Sequence, residues 1–355
     1  MRMLRLPALA LVAAALACGG GDADQAVQLN GAGATFPNII YSKWILDYNA
    51  AHPAVEINYQ SIGSGGGIAQ FTDKTVDFGA SDAPMNAAEL AAVDSNVLHI
   101  PTVLGAVCPV YNVQGIEAGL KFTPAVLASI YLGQITRWND VRIAAANPGV
   151  TLPDEPIVVV HRSDGSGTSY IFTEYLTKVS PDWAQQVGTG KAVNWPAGIG
   201  GRGNEGVSAS VRQTDGAIGY VELGYALING MTMGAVQNSA GTFVTPSIAS
   251  VTAAAAGAMS AMGPNTDFRV SITNPAGADA YPISSFTWLL LRRDYGTDTT
   301  KARALVRFVH WAETEGQAAA PDLGYAPLPE ALRPWIDARL QTITAGGQPV
   351  WSGGQ

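Results

Sequence analysis

The sequence predicts an α/β protein built as two lobes, and three observations carry that prediction. Short apolar, β-branched runs alternate with segments of helical spacing along the chain. Three such runs end in a Gly/Ser-rich turn followed by a helix, the unit from which parallel or mixed α/β sheets are made. Two long apolar runs, at 100–110 and 282–291, suit buried strands that carry the chain out of one lobe and back. The first lobe is then discontinuous, 27–104 and 283–355, and the second is 105–282. At 355 residues the chain can fill both cores.

Charged residues make up 14% of the chain and the net charge is −8, which argues against nucleic acid or an anionic membrane as the main partner. A small anion remains compatible, because helix termini and local donors act over a few ångströms whatever the total charge.

Residues 1–17 read as a signal peptide: a basic start (Arg2, Arg5) and then an apolar run from Leu6 to Ala17. That run is shorter than the roughly 20 residues a membrane span needs. Ala15-Leu16-Ala17-Cys18 resembles a lipoprotein processing site, with Cys18 as the acylated residue and 18–26 as a Gly/Asp-rich tether. Ordinary cleavage near Ala17, with Cys18 incidental, is the alternative; either way the chain is exported. The remaining cysteine, Cys108, has no partner and reads as a buried thiol.

Folded sequence begins near Val27 with a strand into Gly31-Ala32-Gly33-Ala34-Thr35-Phe36-Pro37, where Pro37 suits the first position of a helix. Residues 55–60 alternate as a strand, and Gly63-Ser64-Gly65-Gly66-Gly67 leads into the next helix. A short strand at 76–79 ends in Ala80-Ser81-Asp82-Ala83-Pro84, and Asn86 suits a helix cap. After the first crossing strand come a helix at 123–131 and a strand at 157–160. Then follows the turn Arg162-Ser163-Asp164-Gly165-Ser166-Gly167-Thr168-Ser169, which opens another helix. A helix at 207–212, a strand at 217–221, an Ala-rich helix at 253–262 and terminal helices near 305–312 and 330–343 complete the chain.

Catalytic readings find little support. Ser64 and Ser166 sit in glycine turns without the spacing of a nucleophile elbow, and of four histidines only His161 is near either in sequence. His161 reads as a partly covered strand-end residue. No His/Cys/Asp cluster has metal-ligand spacing, so no metal or cofactor is expected. Gly188-Thr189-Gly190-Lys191-Ala192 lacks the P-loop spacing. Gly198-Ile199-Gly200-Gly201-Arg202-Gly203 matches a dinucleotide fingerprint in letters only and reads as a packing or hinge loop.

The three Gly/Ser turns are different because they recur. Each puts helix-start N–H groups and hydroxyls where an anion can bind. Arg162 adds a guanidinium fork suited to a tetrahedral oxyanion, and Asp164, two residues on, can pair with it and fix the fork. Asp82 repels an anion unless the ligand carries a proton that Asp82 can accept. Hydrogen phosphate has that proton at neutral pH and sulfate does not, and a mismatch there costs several kcal/mol. A plain turn or cap residue is the alternative for Asp82.

These stretches, with Tyr131-Leu132-Gly133, Val187-Gly188-Thr189-Gly190, Trp195-Pro196 and Gly216-Ala217-Ile218-Gly219-Tyr220-Val221, closely resemble the phosphate-binding protein of the bacterial phosphate-specific ABC transporter. The resemblance runs through nearly the whole mature chain. It implies a type II periplasmic-binding-protein fold, two α/β lobes closing over one phosphate ion. It also implies that Thr35, Phe36, Ser64, Asp82, Arg162, Ser166, Gly167 and Thr168 bind the ion, with Asp164 supporting Arg162. Gly65 stands where the family often has a second serine, leaving that loop to Ser64 and backbone donors. The function implied is delivery of inorganic phosphate to an ABC permease by a monomeric binding protein, not an enzyme, in the periplasm or at the cell surface. A secreted serine phosphatase or esterase, and a phosphate scavenger or sensor without a permease, are the alternatives.

Overall fold

The computed structural model describes residues 27–94, 96–116, 119–259 and 262–353; the stretches expected to be a signal peptide and a tether, with Cys18, lie outside the described residues. The chain opens with three parallel strands, β1 (Val27–Gly33), β2 (Val55–Ser61) and β3 (Phe78–Ser81), each followed by a helix: α1 (Asn38–Ala51), α2 (Ser64–Thr72) and α3 (Ala87–Ala92). Pro37 caps α1 from outside instead of forming its first residue, while Asn86 and Glu89 form a reciprocal capping box on α3.

The first long apolar run is one strand, β4 (Val97–Asn112), buried along nearly its whole length. Beyond it come β5 (Lys121–Phe122), α4 (Pro124–Tyr131), capped by Thr123, and α5 (Val141–Ala146). The stretch at 157–160 becomes β6 (Val158–Arg162) and leads into α6 (Gly167–Val179) and α7 (Pro181–Gln186). A short strand, β7 (Ile199–Gly201), pairs parallel with β6 and runs straight into α8 (Gly203–Gln213). The glycine-rich stretch read as a hinge loop is therefore a further strand–turn–helix unit. Its strand has no signature in the sequence, because three residues, two of them glycine, carry no apolar periodicity.

Next are β8 (Ala217–Glu222), α9 (Leu223–Ile228), and three short strands, β9 (Thr232–Met233), β10 (Ala235–Gln237) and β11 (Phe243–Val244). Helix α10 (Ile248–Ala258) starts five residues before the predicted Ala253, because Ser247 and Ser250 form a capping box there. The return run is β12 (Ser284–Arg292), and α11 (Thr299–Glu313), α12 (Arg333–Leu340) and the hairpin β13 (Thr344–Ala345) and β14 (Gln348–Pro349) finish the fold.

The main sheet runs β2-β1-β3-β12-β4-β8-β6-β7, with β9 also on β4. Strand β4 changes partner midway: Val97–Ala106 pair antiparallel with β12, and Val107–Asn112 pair antiparallel with β8. On one side β1, β2 and β3 are parallel, and on the other β6, β7 and β8 are parallel. Their carboxyl ends lead to the loops that meet between the two sets, where open α/β sheets bind ligands. Large aromatics fill the core, including Trp44, Trp138, Trp183 and Trp288, each at most 1% exposed. The mixed pairing across β4 and β12 makes the two lobes one continuous, curled sheet.

Candidate functional site

Loops after six strands converge on one buried cluster. Thr35 and Phe36 follow β1, Ser64 opens α2 after β2, and Asp82 follows β3. From the other set, Arg162 ends β6, Ser166 to Thr168 start α6, Asn204 lies on the first turn of α8, and Glu222 ends β8. Thr35, Ser64, Asp82, Arg162, Ser166, Thr168, Asn204 and Glu222 are all buried.

The first loop is held from behind. Tyr225 Oη donates to the Thr35 carbonyl at 2.8 Å and Tyr325 Oη to the Phe36 carbonyl at 2.7 Å. Because each peptide is planar and trans, the Phe36 N–H points away from the anchored Thr35 carbonyl. The Phe36 ring packs near Tyr325 and against Gly105 of β4, where a Cβ would lie 2.6 Å from the ring. The second loop hangs on the first, since the Ile62 and Gly63 N–H groups both donate to the Gly33 carbonyl.

Arg162 is oriented on both sides. Its Nε donates to Asp164 Oδ1 at 2.8 Å and its Nη2 to Asp164 Oδ2, a bidentate fork. Burial pushes the Asp164 carboxyl up, but the hydrogen bonds and charge of Arg162 outweigh this and hold it below the usual carboxylate range. The Gly203 N–H adds a further bond to Asp164 Oδ1 at 3.1 Å. The remaining Arg162 nitrogen, Nη1, points inward to Thr35 Oγ1 at 3.1 Å and Thr168 Oγ1 at 3.4 Å. Paired on its outer edge, Arg162 presents its inner edge to the cluster.

Asp82 forms another wall of the cluster, close enough to Arg162 to feel its charge. Thr287 Oγ1 on β12 donates to Asp82 Oδ1 at 2.7 Å, and Ser64 Oγ lies 3.4 Å from Oδ2 while accepting the Asp82 N–H at 3.1 Å. Burial pushes the Asp82 carboxyl up to about 7, against the lowering effects of the Thr287 hydrogen bond, the Arg162 charge and the Ser64 hydrogen bond. Asp82 therefore exchanges a proton near neutrality. Gly167 is confined to glycine by this wall, because a Cβ would lie 2.5 Å from Asp82 Oδ2. The Gly167 and Thr168 N–H groups belong to the first turn of α6, at the positive end of its dipole.

Ser166 caps α6, its Oγ accepting from the Ser169 N–H at 3.0 Å. Gly65 does not act as an inward donor: its N–H is engaged by the Gly165 carbonyl at 2.8 Å, a contact from one set of loops to the other. A second bridge, Lys191 to Glu89 at 2.7 Å, joins the two sets farther out. His161 stacks on Trp195 with ring centroids 4.9 Å apart, its Nδ1 lies 3.0 Å from its neighbour's carbonyl, and it makes no hydrogen bond to either serine. Among the described residues, no group of His, Cys, Asp and Glu could hold a metal ion.

Three residues of the cluster escaped the sequence reading: Asn204, Thr287 and Glu222. Asn204 Nδ2 donates to Thr35 Oγ1 at 2.7 Å and Thr168 Oγ1 at 3.1 Å, and its Oδ1 accepts the Glu222 N–H at 3.0 Å. A polar residue just inside a helix after a Gly-rich stretch was the available signal for Asn204. Thr287 lies within an apolar strand and offers none.

Two lobes of one mixed sheet, their strand ends meeting over a buried Arg, a buried Asp and helix-start N–H groups, define a binding protein for a small oxyanion. The PBP superfamily domain model matches residues 20–313. The phosphate-binding protein PstS of Xylella fastidiosa (strain 9a5c) is 47% identical over 318 residues, 89% of this chain and 86% of the relative. The PstS of Pasteurella multocida is 45% identical over 332 residues, 92% and 94% of the two chains. The chain thus belongs to the PBP superfamily and, within it, to the PstS phosphate-binding proteins. Among solved structures, a high affinity periplasmic phosphate-binding protein bound with phosphate superposes with a TM-score of 0.69 at 25% identity, covering 88% of this chain and 93% of that one. A phosphate-binding protein from Stenotrophomonas maltophilia shares the fold, with a TM-score of 0.70 at 20% identity over 91% of this chain and 97% of that one.

Proposed function

We propose that this protein binds one inorganic phosphate ion between its lobes, outside the cytoplasmic membrane, and hands it to a phosphate-specific ABC permease. It is a binding protein and not an enzyme, as its PstS relatives are. The observation that carries the reading is the burial of Arg162 and Asp82 in one cluster of donors, within reach of each other's charge. Arg162, the Phe36, Gly167 and Thr168 N–H groups and the Thr35, Ser64, Ser166 and Thr168 hydroxyls supply donors. Asp82 supplies the acceptor that only a protonated oxyanion can satisfy. About ten charge-assisted hydrogen bonds at roughly 1.5–3 kcal/mol each exceed the roughly −8 kcal/mol of a micromolar complex. The surplus is offset by dehydrating the ion and ordering the lobes around it.

The partner change along β4 between Ala106 and Val107, opposite Ser284 of β12, supports lobe limits of 27–104 with 283–355 and of 105–282. Acylation at Cys18 would leave the protein a membrane-anchored monomer on an eight-residue tether from Gly19 to Ala26. Mass spectrometry of the mature N-terminus tests the anchor. Calorimetric titration with phosphate and with sulfate at neutral pH tests the binding; equal affinity for the two ions overturns the assignment.

A further inference from the structure

The amide of Asn204 does more than fill the cluster. Its orientation is fixed, because the Glu222 backbone N–H can only donate and lies 3.0 Å from one end of the amide. That end is the oxygen, so the NH2 group faces the cleft. It reaches hydroxyls from both lobes, Thr35 Oγ1 at 2.7 Å and Thr168 Oγ1 at 3.1 Å. Thr35 Oγ1 also receives Arg162 Nη1 at 3.1 Å and the Asn204 backbone N–H at 3.2 Å, while Thr168 Oγ1 receives Arg162 Nη1 at 3.4 Å.

A hydroxyl has two lone pairs and one hydrogen. Thr35 faces three donors and Thr168 faces two, so neither has a lone pair left for a further donor. Each can only donate. Among the described residues neither hydroxyl donates a hydrogen bond within the protein.

We infer that Asn204 is a positioning residue that makes Thr168 an obligate donor, ties it to the already saturated Thr35, and so fixes which face of the bound ion carries the proton. The inference rests on the phosphate reading of the site. The oxygen lying against the two hydroxyls must be unprotonated, and the protonated oxygen is directed to Asp82, the acceptor of the cluster. Two complementary walls thus orient the ion, one that only donates and one that accepts. The other ionisable groups around the amide are Arg162 ending β6, Asp164 on the next turn, Glu205 on α8 and Glu222 ending β8. All are unchanged in the variants below, so comparison at a single pH cancels their titration.

The test is calorimetric titration of the wild type, Asn204→Ala and Asn204→Asp with inorganic phosphate at pH 8 and at pH 5.5, where the ion carries mainly one and two protons. Removing the amide leaves Thr35 with two donors but Thr168 with only Arg162 Nη1, so it frees a lone pair on Thr168, which can then accept from a second proton on the ion. Asn204→Ala should bind roughly 10- to 100-fold more weakly than wild type at pH 8, but only about threefold more weakly at pH 5.5. Asn204→Asp keeps an acceptor for the Glu222 N–H but draws the two hydroxyl hydrogens toward itself, and should lose more than about 100-fold at pH 8. A merely structural role would weaken binding equally at both pH values. Equal losses, or wild-type affinity in either variant, overturn the inference. If Asn204→Ala does not fold, Asn204→Asp decides: affinity within about threefold of wild type at pH 8 refutes it. A wild type that ignores phosphate fails the functional reading itself, and this inference with it; a wild type that binds with unaffected variants fails this inference alone.

Discussion

Thr287 Oγ1 donates a 2.7 Å hydrogen bond to Asp82 Oδ1 across 205 positions of sequence, from the return strand to the turn after β3. The bond fixes one carboxylate oxygen and lowers the proton affinity that burial raises. The acid thereby sits near neutrality, at about 7.

Thr287→Val keeps the shape and removes that donor. The Asp82 carboxyl should then titrate above its present value of about 7. A shift of roughly one unit is expected, equal to about 1.4 kcal/mol. A carboxyl-detected NMR titration of the ligand-free protein reads it directly, with Asp82→Asn identifying the resonance.

Sulfate rejection should depend on pH. An ionised Asp82 repels sulfate, whereas a neutral Asp82 can donate to it. With the carboxyl near 7, the neutral fraction rises about tenfold between pH 8 and pH 6. Sulfate binding should therefore tighten by roughly that factor over the interval, and Asp82→Asn should abolish the trend. Competition of sulfate against labelled phosphate at the two pH values measures it.

Asp164→Asn leaves Arg162, whose side chain is 1% exposed, without its charged partner. Breaking a buried pair costs about 3–5 kcal/mol, and because Asp164 is 14% exposed and the amide retains one hydrogen bond, roughly 2–3 kcal/mol is expected. Urea denaturation of the phosphate-free protein should show the loss. Saturating phosphate should restore much of it by supplying a counter-charge to the guanidinium.

The sequence made the frame of the site legible because its walls are local. Gly31 to Pro37, Gly63 to Gly67 and Arg162 to Ser169 each combine a strand end, glycine and a hydroxyl within a few residues. The pairing of Asp164 with Arg162 is local as well. What could not be read is what joins distant stretches: Thr287 with Asp82, or Asn204 with Thr35 across 169 positions. A hydroxyl inside the apolar run Ser284–Arg292 carries no mark of its partner. The engagement of the Gly65 N–H by Gly165 also depends on how the lobes approach one another, which no local pattern encodes. The short strand Ile199–Gly201 was hidden for a different reason, since it is held by its parallel neighbour β6 and not by its own side chains.

As proposed above, Arg162 and its neighbours hold a tetrahedral anion and Asp82 selects the one with a proton. Calorimetric titration of wild type and Asp82→Ala with phosphate and sulfate at pH 8 tests it most directly. The expected result is tight phosphate binding and markedly weaker sulfate binding by the wild type, with most of that difference lost in Asp82→Ala. Tight phosphate binding by Asp82→Ala with its preference over sulfate intact would show that Asp82 does not select the ion.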